Sequence, residues 1–223
     1  MSAIPSDVGL EGELDEQDGD RRHGLPLSAT IYESLIAAAA LAAALPFIVR
    51  LNGHTAEWAT FGILAAGAAA SHTYTVRTAK DSSFHTSWVF LIPAAILLPP
   101  ELVALMGVVM HIPEWLKERY AWYIQSFNIA NYTLGNLATW GAARLLIDAN
   151  GLIPDDHLRW ATAGLVACVV AVAANHVVLA PMMMLARGHS ISTFAGLTSR
   201  WISPIAWAAS SASATWRHTS IAR

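Results

Sequence analysis

Four histidines, His72, His85, His111 and His176, fall close to apolar stretches of this 223-residue chain, and imidazole is a common ligand for zinc, copper and iron. One carboxylate accompanies them at short range. His111 and Glu114 have i, i+3 spacing, which brings two side chains together on a helical turn. Pro113 between them argues against a regular helix at that point. No HExxH or CxxC sequence occurs, so no metal ligand is assigned, and interfacial or hydrogen-bonded histidines are expected instead. Walker, GxSxG and GxGxxG signatures are absent too, and neither a catalytic residue nor a cofactor is expected. Cys168 is the single cysteine. It has no partner for an internal disulfide, and its apolar surroundings predict a small buried side chain.

A second group of polar residues belongs to residues 111–135, HIPEWLKERYAWYIQSFNIANYTLG, and to the helix that continues from them. At about 100° per residue, Gln125, Asn128, Asn131, Tyr132, Asn136 and Thr139 fall within an arc of about 140°. Phe127, Ala130, Leu134 and Leu137 fall outside it. Amides turned toward hydrocarbon would lose several kcal/mol each, so this stripe must face protein or water. Two uses stay open: hydrogen bonds between helices, about 0.6 kcal/mol each, or a cavity that binds a small ligand or senses a signal. Just before the stripe, Trp115, Lys117, Arg119, Tyr120, Trp122 and Tyr123 combine aromatic rings with cations, the pattern of an anchor at a membrane interface.

The elements that must position these residues are those of a membrane protein. The chain is 55% hydrophobic and 13% charged, whereas a soluble domain carries about a quarter charged residues. Seven acids fall in the first twenty residues and none follows Asp156. Residues 1–28 lack the basic region and apolar core of a signal peptide and read as a disordered acidic tail. Residues 29–187 read as the membrane domain. A first span runs from Thr30 to Val49, about 30 Å of helix, with Glu33 near its start as an interfacial carboxylate. A second, rich in Ala and Gly, runs from Thr55 to Ser71. Pro99 and Pro100 divide Phe84 to Trp115 into two short apolar halves, either a hairpin with Glu101 at its tip or one kinked span. Further spans are predicted from Tyr123 to Ile147 and from Leu158 to Leu185.

Charge arbitrates the number of crossings. With six, and the N-terminus in the cytoplasm, Arg21, Arg22, Arg77, Lys80, Lys117, Arg119 and Arg187 share the cytoplasmic side. Arg50, Arg144 and Arg159 lie near the outer ends. Five crossings would abolish most of that bias, so six are preferred. The expected fold is all-α, a polytopic membrane helical bundle with both termini cytoplasmic.

The stretch from Phe84 to Trp140 resembles the amino-terminal membrane region of actinobacterial signalling proteins that end in a GGDEF diguanylate cyclase or an HD-GYP phosphohydrolase. Its most specific pieces are LLPPELVAL, HIPEWLKERY and WYIQSFNIANYTL, and a weaker likeness continues to LARGHS at Leu185 to Ser190. The resemblance implies a sensory or anchoring module of cyclic di-GMP signalling. This chain contains no GGDEF sequence and no His-Asp dipeptide, so no catalytic residue of that family carries over. The alternative is a small-molecule-binding membrane subunit of a transporter, and a purely structural membrane protein is a third, less specific reading. Expected partners are the lipid bilayer, a second copy of the chain and a small-molecule ligand, with no nucleic acid. Residues 188–223 form an irregular tail rich in Ser and Thr, with Trp201, Trp207 and Trp216 at no helical period. That tail is expected to arise from a shifted reading frame or to lie on the membrane surface.

Overall fold

The computed structural model describes residues 25–51, 57–73, 76–77, 83–84, 86–119, 121–149 and 153–187. The acidic N-terminal segment up to residue 24, His85, Tyr120 and the tail from residue 188 lie outside them. The helices are α1 (Leu27–Ile48), α2 (Trp58–Thr73), α3 (Trp88–Leu97), α4 (Pro100–Val109), α5 (Ile112–Glu118), α6 (Trp122–Ile147) and α7 (Asp156–Arg187). A short antiparallel ladder, β1 (Val76–Arg77) with β2 (Ser83–Phe84), joins α2 to α3. The all-α class follows. Helix α1 begins at Leu27, two residues before the expected start of the membrane domain at residue 29.

The proline pair ends one helix and starts the next. Leu98 and Pro99 are extended, with ψ of 154° and 156°, because a residue before proline avoids the helical region. Pro100 then occupies the first turn of α4, where a missing N–H costs nothing. The chain is therefore broken here and is not one kinked helix. At 10 residues each, α3 and α4 are about 15 Å long, half the thickness of a hydrocarbon core.

Helix α6 is the hub, packed against α7, α1, α4 and α3. Its buried residues include Gln125, Asn131, Asn136 and Thr139 of the polar arc and Phe127, Ala130 and Leu137 outside it. Both faces of the helix therefore meet protein, while Ile124, Ala138 and Leu145 are exposed. The main core gathers Leu91, Ala94, Leu98, Leu102, Met106 and Met110 from α3 and α4 with Phe61, Ala65 and Ala68 from α2.

Helices α1 and α7 are long and apolar enough to cross a membrane, yet only 11% and 17% of their apolar windows are buried. Leu35, Leu41 and Leu45 on α1 and Leu165, Val169 and Val177 on α7 point outward. Helix α7 buries Met182 near its end and, along its middle, the stripe Ala163, Ala167 and Ala171, a four-residue repeat of small side chains that lets helices approach closely. Cys168 stands one residue off that stripe and is exposed, not buried as expected. Glu33 departs in the opposite sense: it is 3% exposed, inside the bundle rather than at a wet interface.

Candidate functional site

At the elbow, Pro113 falls in the first turn of α5, a position where proline is tolerated and even favoured. A helical turn therefore forms here despite Pro113, against expectation. His111 is the N-cap of α5 and Glu114 lies in its first turn, so the i, i+3 pair converges. His72, near the end of α2, completes the group. Its Nε2 lies 2.8 Å from a Glu114 carboxylate oxygen, and one ligand atom from each of His72, His111 and Glu114 falls within 4.8 Å of the others. His72 and His111 are buried, and Glu114 is nearly so.

The backbone and side chains around the group fix its orientation. The His111 Nδ1 atom is 2.7 Å from the Gly107 carbonyl oxygen. A carbonyl only accepts, so Nδ1 carries the proton and Nε2 is the acceptor nitrogen of the neutral ring. The His111 carbonyl in turn accepts from the Trp115 N–H at 2.9 Å and from the Gln125 side chain at 3.2 Å. That pair of bonds ties the elbow to both α5 and α6. Gly107 is needed for the approach itself: a Cβ there would lie 2.4 Å from Thr133 Oγ1 on α6.

Tyr132 closes one side of the cluster. Its ring meets His72 and His111 edge-on at centroid distances of 5.6 and 5.0 Å, and the two imidazoles meet each other at 4.6 Å. Trp88 stacks on the far side of Tyr132 at 5.5 Å, and the neighbouring Ser87 is fully buried. Aromatic edges and faces carry partial charges of opposite sign, so such T-shaped contacts hold ring orientations as well as area.

The rest of the polar stripe is divided among separate tasks. Asn131 donates to Asn175 Oδ1 on α7 at 2.8 Å, and Gln125 holds the elbow, so both make contacts between elements. Thr139 donates back to the Gly135 carbonyl within α6. Asn136 is buried, while Asn128 is half-buried. The apolar cleft of about 460 Å³ in this bundle lies elsewhere, between α1, α4 and α6. Ala40, Ala44, Leu105, Val108, Ile129 and Thr133 are among its lining residues. None of the stripe residues lines it. Gln125, Asn131 and Tyr132 thus take part in contacts between elements.

Among the interface residues, Trp115, Lys117, Arg119 and Trp122 are exposed and Tyr123 is half-buried. Trp122 and Tyr123 meet edge to face at 6.1 Å. Arg119 caps α5 with a left-handed backbone, φ 49° and ψ 43°. His176 is apart from the cluster, its Nδ1 2.8 Å from the Val172 carbonyl oxygen of its own helix. The sequence pointed to His111 and Glu114 by spacing. It gave no signal that His72, on another helix, would join them.

Comparison with family models, with curated proteins and with solved structures finds no match to this chain.

Proposed function

We propose that the chain is an integral membrane sensory module of the cyclic di-GMP signalling type, crossing the bilayer six times with both termini cytoplasmic. One observation carries the sensory part of this reading: ionisable, amide and aromatic side chains from α2, α5 and α6 converge in a buried cluster beside a charged elbow. A helix bundle held only by packing has no need of a buried carboxylate and two imidazoles, which cost solvation energy to enclose. The membrane part is supported by the outward apolar faces of α1 and α7, since an apolar surface of that extent is unfavourable in water. Six crossings would require α3 and α4 to enter as a short pair shielded by longer neighbours. The signalling class is supported by the likeness of residues 84–140 to the input regions of such proteins.

The test joins a diguanylate cyclase domain to the C-terminus of the full chain and measures cellular cyclic di-GMP. Tyr132→Phe and Gln125→Ala should each change output at equal protein level, whereas His176→Ala should not. Equal output from all three would defeat the sensory reading. Reporter fusions at residue 118 and at the C-terminus should report the same, cytoplasmic side.

The apolar cleft between α1, α4 and α6 favours a second reading, a membrane subunit that binds an apolar small molecule for transport. Substrate accumulation in cells expressing the chain, with no change in cyclic di-GMP from the fusion, would select it.

A further inference from the structure

We infer that His72, His111 and Glu114 form a binding site for a divalent first-row transition-metal ion, with zinc as the reference occupant. The inference concerns binding alone and stands whether or not the chain signals.

The donor set decides the class of ion. Two imidazole nitrogens and one carboxylate oxygen are the ligands of many three-residue zinc sites and of open ferrous sites. Calcium and magnesium prefer all-oxygen shells, and copper(I) prefers sulfur. The single cysteine, Cys168, is exposed on α7 and takes no part in the cluster.

Distance decides whether an ion fits. Bonds of about 2.0–2.1 Å in a tetrahedral shell separate ligand atoms by about 3.3 Å. The ligand atoms here lie within 4.8 Å of one another, with His72 and Glu114 already in contact at 2.8 Å. An ion would part the His72–Glu114 contact by about half an ångström and draw His111 inward, movements that side-chain rotation can supply.

Orientation is already set. A metal-bound histidine ordinarily donates its second ring N–H to a carbonyl or carboxylate, which fixes the tautomer. His111 does this toward Gly107 at 2.7 Å, so Nε2 is the nitrogen with the lone pair. The Trp115 N–H and Gln125 hold the His111 backbone, and Tyr132 packs against both imidazoles. A simple buried His72–Glu114 ion pair would need neither the third ligand nor its tie to Gly107. Three protein ligands also leave at least one coordination position for water or a small anion.

The experiment uses the full chain purified in detergent without a polyhistidine tag, stripped with chelator and titrated with zinc against a chromophoric competitor. One zinc per chain is expected. Glu114→Gln, which keeps volume and hydrogen bonding but removes the anionic ligand, should raise the Kd by at least about tenfold, and His111→Ala should do the same. His176→Ala should leave it within about twofold, as expected of a residue outside the shell. Zinc-edge X-ray absorption on the wild-type chain should show two imidazoles and a carboxylate oxygen, which covers the case where a variant fails to fold. Absence of saturable zinc binding, full retention in both variants, or a different imidazole count would overturn the site. None of these readings depends on cyclase output, so failure here is distinct from failure of the signalling proposal.

Discussion

Where α6 and α7 touch, each contributes an asparagine, Asn131 and Asn175; away from that contact the two helices differ in almost every respect. Helix α7 buries a narrow alanine stripe and turns Leu165, Val169 and Val177 outward. Helix α6 buries residues on both its amide and its apolar face and carries the asparagines, the tyrosine and the phenylalanine that the interior uses. The more hydrophobic of the pair is the more exposed. In a water-soluble bundle that order would be inverted. It is the order expected where the surrounding medium is hydrocarbon and the interior is where polar groups find partners.

The comparison breaks most clearly at Phe127. This residue is 4% exposed on α6, packed with Ala29 and Met182 and beside Tyr32 at a centroid distance of 6.5 Å. Phe127→Ala should cost about 3–5 kcal/mol by the usual cavity penalty. Val169 on α7 is 62% exposed, and Val169→Ala should cost less than about 0.5 kcal/mol. Unfolding of both variants in mixed micelles measures the difference. Equal costs would mean that Phe127 is not enclosed as described.

An intermediate effect is expected at the contact between α4 and α6. The Cβ of Gly107→Ala would meet Thr133 Oγ1 at 2.4 Å and the Thr133 backbone nitrogen at 3.0 Å. Separation of the helices should cost about 1–3 kcal/mol, and the double variant with Thr133→Ala should recover part of it. No recovery would show that the backbone contact, rather than the hydroxyl, sets the spacing.

The smallest effect sharpens the comparison at the shared contact. A double-mutant cycle on Asn131→Leu and Asn175→Leu should give a coupling of about 0.6 kcal/mol, the average for hydrogen bonds inside membranes. A coupling near zero would leave packing alone holding α6 to α7.

Much of this architecture could be read from residue order. The bounds of α6, expected at Tyr123 to Ile147 and found at Trp122–Ile147, follow from a turn on one side and Asp148 on the other. The break at Pro99 and Pro100 follows from backbone sterics. Periodicity could not show that Phe127 and Leu137 are buried alongside the amides, because a helical wheel assumes one inward face and α6 packs on two. Glu33 and Cys168 were misplaced for a related reason: polarity suggests which medium a side chain prefers, while packing decides which medium it meets. His72 was illegible as a cluster member because its partnership is made by the tertiary approach of α2 to α5.

Arg119 carries a cost of its own. A non-glycine residue with φ of 49° gives up about 1–2 kcal/mol relative to an ordinary helical conformation, and a glycine there would recover most of that. In the proposed topology, glycine would also delete one of the cations that hold the elbow on the cytoplasmic side. Fold stability and orientation thus favour different residues at position 119. A search for more stable variants would select against the arginine, whereas a search for correctly inserted protein would keep it.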